Sequence, residues 1–388
     1  MAAPRAPTFG VVAGESSGDN LGAALIRAIR EREPRARFVG VAGPAMQAAG
    51  CEPLAASSEL AVIGLFEVLH HLPRLWRLRR RLRAEFLALR PDAFVGIDAP
   101  EFNLNLAPSL HAAGIRTVQY VSPQVWAWRR GRARRMAGFL DLVLCLLPFE
   151  REVYDEAGLR AIFTGHPLAD QLPLEPDRAA ARAELGVDPA APLLALLPGS
   201  RVGEVARLAG DFAGAAAWLA ARRPGLQFAA ALADARTRGL FERALAARAP
   251  GVPVRIFEGR SRAVLTAASV VLVASGTATL ETLLCKRPMV VAYRLGRASA
   301  FALRGLGLLK VAHFAQPNLL AGRRVVPELA QAEVTPERLG RELERWLDSP
   351  EAVAELATQF AAIHRQLRQG ASERAAEAIL ELARGRAP

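Results

Sequence analysis

Short runs of consecutive apolar residues, each closed by a loop of small or polar residues and followed by a stretch with apolar residues every three to four positions, repeat along the first 170 residues. The runs Phe9 to Ala13, Phe38 to Ala42, Ala93 to Ile97, Thr117 to Val121, Leu142 to Leu146 and Ala161 to Thr164 predict strands. The stretches between them predict amphipathic helices. From Asn20 onward, Leu21, Leu25, Ala28 and Ile29 share one side of such a helix, with Arg27, Arg30 and Glu31 on the other. Apolar strands alternating with helices imply a parallel sheet covered on both faces.

Between Asp170 and Pro192 the pattern lapses into proline-punctuated segments, with a short helix expected at Arg178 to Leu185. It restarts at Leu193, Gln227, Val254, Ser269 and Pro288, and a polar helical stretch runs from about Pro350 to Arg384. With 388 residues the chain exceeds the size at which one core keeps growing. The expected organisation is a first Rossmann-like domain over residues 1–170, a linker over 171–192, a second Rossmann-like domain over 193–349 and a helical segment over 350–388.

Composition narrows the classes. No stretch of eighteen apolar residues occurs, and Met1 to Pro7 lacks an apolar signal core, so a cytoplasmic location is expected. Cys51, Cys145 and Cys285 are scattered and odd in number, which argues against a disulfide framework or a CxxC metal site. The net charge of +12 asks for an anionic partner, and nearly all of it is Arg, with Lys only at 286 and 310. Leu72 to Arg83 interleaves Leu72, Leu75, Trp76, Leu78 and Leu82 with Arg74, Arg77, Arg79, Arg80, Arg81 and Arg83. Such a helix can lie on anionic lipid, and it can equally be a surface helix with an Arg-rich wet face. Trp126 to Arg135 joins aromatics to arginines, as nucleic-acid binders do, yet it follows a strand and suits a pocket rim as well. No zinc-finger, RNP or heptad pattern supports nucleic acid.

The candidate chemistry sits where strands end. Ser275-Gly276-Thr277 closes an apolar run and opens a helix, and Glu281 follows four residues after Thr277. Backbone N–H groups at such a helix start suit a diphosphate. Glu281, one turn of about 5.4 Å further on, suits two ribose hydroxyls; an N-capped helix with a salt-bridging Glu is the plainer alternative. Upstream, Leu193 to Leu197 runs into Pro198-Gly199-Ser200-Arg201, where Arg201 can pair with phosphate oxygens. In the first half, Glu15 lies in the loop after the first strand, where it suits contact with a polar substrate, and Ser17 joins it as a cleft candidate, though Ser17 or Asp19 can equally cap the first helix. Asp98 ends the strand Ala93 to Ile97 next to Pro100, where it suits a general base or an Asx turn. Asn103 can orient it or cap the next helix. Ser122, Gln124 and His166 follow strands as pocket liners. The histidines form no HxxxH or HExxH pair and no DxD occurs, so neither a catalytic metal nor any cofactor is expected.

Taken in order, AGESSGDNLGAALI from Ala13, GIDAPEFN from Gly96, YVSPQVWAWR from Tyr120, TGHPLAD from Thr164, LLPGSR from Leu196, SGTATLE from Ser275, PMVVAYR from Pro288 and PNLLAGR from Pro317 resemble the lipid-A-disaccharide synthases. The resemblance runs almost end to end and implies an inverting glycosyltransferase of GT-B architecture, with two Rossmann-like domains around an interdomain cleft. It implies transfer from UDP-2,3-diacylglucosamine to the 6-hydroxyl of 2,3-diacylglucosamine 1-phosphate, with UDP held by the second domain. It also implies Asp98 as base, Glu15 and Asn318 as polar cleft residues, and a peripheral place on the cytoplasmic face of the inner membrane. Membrane contact then falls to Leu72, Leu75, Trp76, Leu82, Arg77, Arg80, Arg81 and Arg83. Dimerisation by exchange of C-terminal segments is an analogy that no stretch of this sequence demonstrates. Two rivals remain open: a UDP-sugar epimerase or hydrolase sharing the Ser275 to Glu281 site, and a basic adaptor docking through Arg74 to Arg135.

Overall fold

The computed structural model describes residues 5–60, 65–123, 130–295 and 313–385. The chain forms two compact units, Met1–Asp170 with Leu367–Pro388, and Gln171–Gln366. In the first unit, seven strands run in parallel: β1 (Thr8–Ala13), β2 (Arg37–Ala42), β3 (Cys51–Ala56), β4 (Ala93–Ile97), β5 (Arg116–Tyr120), β6 (Leu142–Cys145) and β7 (Ala161–Phe163). Their order across the sheet is β3-β2-β1-β4-β5-β6-β7, so the order reverses between β1 and β4. Helix α1 (Ser16–Arg32) follows β1, α2 (Leu65–Leu89) precedes β4 and α3 (Pro100–His111) follows it.

The central strands are apolar from end to end because helices cover both faces; every residue of β1 and β4 is buried. Helix α1 supplies Leu25, Ile26 and Ile29 to one face, and α2 supplies Leu78, Leu82 and Phe86 to the other. Each such fully buried side chain contributes about 1.5–3 kcal/mol.

The second unit holds α4 (Arg178–Leu185), β8 (Leu193–Leu197), α5 (Val202–Ala220), β9 (Gln227–Leu232), β10 (Val254–Glu258), β11 (Val270–Ala274), α6 (Thr277–Leu284), β12 (Met289–Tyr293), β13 (Glu328–Ala330) and α7 (Pro350–Leu367). Its strands are parallel in the order β10-β9-β8-β11-β12-β13, reversing between β8 and β11.

Two stretches expected as separate segments are built into the units. Within 171–192, the buried guanidinium of Arg182 donates to the carbonyls of Asp188, Pro189 and Ala191 at 2.8–2.9 Å and to that of Ala267 at 2.9 Å. That network fastens α4 and the proline-rich chain after it to the second unit. The C-terminal stretch divides: α7 lies in the second unit, while α8 (Ala371–Ala383) lies in the first. Asp170 holds the start of α8 by accepting from the N–H groups of Gly370 and Ala371, and Ala375, Ala376 and Ile379 enter the core beside Leu25 and Ile29.

Helix α1 begins at Ser16, four residues before the expected start. Its N-cap is Glu15, with no side-chain cap bond, so neither Ser17 nor Asp19 caps it. The Asp19 carboxylate instead accepts from the N–H groups of Gly43, Ala45 and Met46, capping the short helix Pro44–Ala48.

Candidate active site

Both sheets place their candidate residues at the point where strand order reverses, the edge at which open α/β sheets take ligands. In the first unit Ala13 of β1 pairs with Ile97 of β4, so the loops carrying Glu15 and Asp98 leave side by side. Gly14 makes this approach possible, since a Cβ there would stand 2.7 Å from that of Ala99. Glu15 and Ser17 are exposed, and Asp98 is half-buried. Burial pushes the Asp98 pKa above its ordinary value; the Ala99 N–H opposes that shift, and the nearby Glu15 carboxylate adds to it. A carboxylate held partly desolvated in this way is a stronger base than one in water.

The backbone here is strained. Asp98 has φ +52° and Ala99 +40°, and at the end of the neighbouring β5 Val121 has φ +76°, rare for a β-branched residue. Asn103, 1% exposed, donates from Nδ2 to the carbonyls of Asp98 at 2.8 Å and Val12 at 3.3 Å. It therefore orients the Asp98 segment from beneath and caps no helix. Gly96 leaves room for it, because a Cβ there would sit 2.7 Å from the Asn103 Cβ. Gln119, also 1% exposed, donates from Nε2 to the carbonyls of Asp98, Tyr120 and Val121 at 3.1, 3.4 and 3.2 Å. Sequence reasoning missed Gln119, although a lone amide inside a buried strand was the available signal.

In the second unit the turns rely on glycine. Gly276 has φ +148° and Gly199 +127°. No side chain caps α6 at Gly276, and a Cβ on Gly276 would meet nothing within 4 Å. The start of α6 therefore faces open space with its first N–H groups pointing outward. Gly276 and Thr277 are exposed, Ser275 is half-buried, and the Ser275 hydroxyl donates to the Phe314 carbonyl at 3.3 Å. Burial raises the Glu281 pKa, with Arg262 and a hydrogen bond from Ser261 opposing it. The Gly199 turn departs from expectation. Its Ser200 and Arg201 N–H groups donate to the Glu204 carboxylate at 3.3 and 3.4 Å, and the Arg201 guanidinium pairs with the same carboxylate at 3.3 Å. An internal carboxylate thus takes the place foreseen for a phosphate.

Three expected cleft residues make hydrogen bonds within the chain. The Asn318 side chain is fully buried and ties a loop, accepting from the N–H groups of Val325 and Val326 and donating to the Val326 carbonyl. Ser122 is buried against the Tyr154 hydroxyl at 2.8 Å. His166 accepts the Leu168 N–H on Nδ1, and burial lowers its pKa to about 4, leaving a neutral ring with the proton on Nε2. Gln124 lies outside the described residues, as does the Leu72 side chain. On α2, Leu82 is fully buried and Leu75 packs against the same core. Both belong to the inward stripe, which corrects their assignment to membrane contact. The outward face carries Trp76, 53% exposed, with exposed Arg77, Arg80, Arg81 and Arg83. Among the described residues no helix is long and apolar enough to cross a membrane, and no group of three His, Cys, Asp or Glu is arranged to hold a metal ion.

Two parallel doubly wound sheets, each with polar loops at its switch point, are the GT-B architecture. Solved structures agree on the fold. The calicheamicin glycosyltransferase CalG4 superposes with a TM-score of 0.61 at 18% identity, covering 99% of this chain and all of the other. The UDP-GlcNAc 2-epimerase of Neisseria meningitidis gives 0.62 at 11% identity, covering 96% and 100%. Sequence decides between them. The lipid-A-disaccharide synthetase family model matches residues 9–382. The lipid-A-disaccharide synthase of Xanthomonas campestris pv. campestris strain 8004 is 50% identical over 380 residues, 97% of this chain and 86% of that relative. The chain belongs to the lipid-A-disaccharide synthase family.

Proposed function

We propose that the chain transfers the sugar of UDP-2,3-diacylglucosamine to 2,3-diacylglucosamine 1-phosphate, forming the β-1,6-linked lipid A disaccharide 1-phosphate and UDP. The carrying observation is that both pairs of candidate loops flank the switch point of their own sheet. Asp98 takes the proton of the acceptor 6-hydroxyl as that oxygen attacks the anomeric carbon. The bond from that carbon to the diphosphate breaks with its electron pair leaving on UDP, and the configuration inverts from α to β. The uncapped start of α6 and the guanidinium of Arg201 meet the charge on the departing diphosphate, and Glu281 accepts the ribose hydroxyls. Arg201 must then turn from Glu204 toward phosphate. Glu15, on the neighbouring loop, adds its charge to the burial that raises the Asp98 pKa and contacts the acceptor.

The lipid substrates call for a surface on which they are delivered. The outward face of α2, with Trp76 among Arg77, Arg80, Arg81 and Arg83, fits the inner face of an anionic membrane, and it binds through phosphate pairing more than through insertion of leucines. Mass spectrometry of the products formed from the two lipid substrates tests the reaction. A disaccharide phosphate with release of UDP is expected; turnover of unacylated UDP-N-acetylglucosamine at a comparable rate would favour the epimerase or hydrolase reading.

A further inference from the structure

The Asp98 carboxylate hangs from a stretch of left-handed backbone that is uncommon for L-residues, least so for Asp itself and most so for the β-branched Val121. Asp98, Ala99 and Val121 all sit at positive φ, on the ends of the adjacent strands β4 and β5. Such conformations cost about 1–3 kcal/mol each and persist only where their surroundings over-determine them. The over-determining group is identifiable. The Gln119 Nε2 lies within 3.1–3.4 Å of three carbonyl oxygens, those of Asp98, Tyr120 and Val121, and it is sealed from solvent. Its two hydrogens are shared among acceptors on both strand ends, so one side chain holds the two strained segments at a fixed separation. Asn103 completes the arrangement by joining the same Asp98 carbonyl to Val12 at the end of β1. Three neighbouring strand ends are thereby tied through two buried amides.

We propose that Gln119 is a positioning residue for the transfer, fixing through the Asp98 carbonyl the direction in which the Asp98 carboxylate meets the acceptor hydroxyl. This rests on Asp98 being the base. A fold needs no polar group at this place: the flanking residues of β5 and its neighbours β4 and β6 are buried and largely apolar, and an aliphatic side chain of the same length would fill the site. What an aliphatic side chain cannot do is donate to the Asp98 and Val121 carbonyls. Displacing a reacting group by about 1 Å costs on the order of 100-fold in rate.

The test compares the parent with Gln119→Met, Gln119→Ala and Asp98→Asn, and with Gln119→Met combined with Asp98→Asn, measuring kcat and the KM for the UDP-sugar. Gln119→Met keeps the volume, so it serves where Gln119→Ala loses the fold; a thermal melt on each protein establishes which are folded. Expected is a fall in kcat of roughly 10- to 100-fold for folded Gln119→Met, with the KM for the UDP-sugar unchanged because its binding groups lie in the second unit. The same substitution should cost little more once Asp98 is Asn, since the two changes act through one group. Folded Gln119→Met with kcat within twofold of the parent overturns the proposal. So does a loss that is undiminished in the Asp98→Asn background, which would mean that Gln119 acts elsewhere. Normal turnover of Asp98→Asn by itself would instead refute Asp98 as base, whatever Gln119 does.

Discussion

The two switch points use opposite means to turn a strand into a loop. At Gly199 and Gly276 the second unit turns on glycines with φ +127° and +148°, which such backbone admits at little steric cost. At Asp98, Ala99 and Val121 the first unit forces side-chain-bearing residues into the left-handed region and holds them with buried amides. The difference fits the chemistry proposed for the two units. A phosphate is recognised by backbone N–H groups, so its turn gains by having no side chain at all. A base must carry a side chain, so the strain there is retained and compensated from beneath.

The largest effect that would break this comparison belongs to Asp98→Asn. Turnover should fall by about 10²- to 10⁴-fold while UDP affinity stays at the parent value. Stability adds a second readout, with its sign set by linkage. Because the folded-state pKa of Asp98 is raised, the folded protein binds more protons than the unfolded chain between the two pKa values. Stability is therefore lost as pH rises through that window. Asp98→Asn, which cannot ionise, should then melt no lower than the parent at pH 7, and a clear drop in Tm would mean that the carboxylate is structural. Glu15→Gln should move the acid limb of the parent's kcat/KM profile to lower pH, since the Glu15 charge helps to raise Asp98. A limb that stays in place removes Glu15 from the base's surroundings.

The second unit should show the complementary split. Glu281→Ala is expected to weaken UDP binding by about 1.5–3 kcal/mol for each ribose hydrogen bond removed, with little change in kcat at saturating donor; calorimetry with UDP reads it directly. Gly276→Ala comes next. Its added Cβ meets nothing within 4 Å, so only the backbone conformation, an extended positive-φ one that is essentially confined to glycine, is taxed, by about 1–3 kcal/mol. UDP affinity or Tm should fall by that amount, and an unchanged value for both would show that the glycine is dispensable.

How much of this was legible in the sequence depends on what makes each element form. Strands buried on both faces, such as Leu193–Leu197 and Val270–Ala274, announce themselves as unbroken apolar runs. The edge strands β3 and β13 do not. Each pairs along one side only, and β3 buries only Cys51 and Ala55, with Glu52 and Pro53 both exposed between them, which reads as a loop. The loops at the switch points were legible because Gly, Ser and Asp at strand ends have few uses. What those side chains touch was not. Asn318 sits in a suggestive motif yet spends its amide on Val325 and Val326, and Glu204 reaches back to the Gly199 turn across one helical turn. The basic helix misled for a related reason. Leu75 and Leu82 have the spacing of an apolar stripe, but a stripe carries no sign that says core or bilayer, and only the packing under β4 shows that they face inward.

The smallest expected effect concerns the outer face of that helix. With Leu75 and Leu82 turned inward, attachment to lipid falls to Trp76 and the arginines, and Arg80 stands over the Trp76 ring at 5.7 Å, so the two present one amphipathic patch. Each arginine near an anionic surface is worth about 1 kcal/mol. Arg80→Ala or Arg81→Ala should therefore reduce partition onto anionic vesicles roughly fivefold, an effect most visible at low salt and compressed at high salt. UDP affinity should not move, because the groups proposed to hold the nucleotide belong to the other unit, and Tm should hold, because both side chains are exposed. Leu82→Ala makes the contrasting variant: it should cost about 2–5 kcal/mol of stability and leave the vesicle affinity of the folded fraction unchanged. Sedimentation with vesicles at two salt concentrations decides between them. If the arginine variants partition like the parent, the outer face of α2 is only a solvated surface, and the lipid substrates reach Asp98 by another part of the first unit.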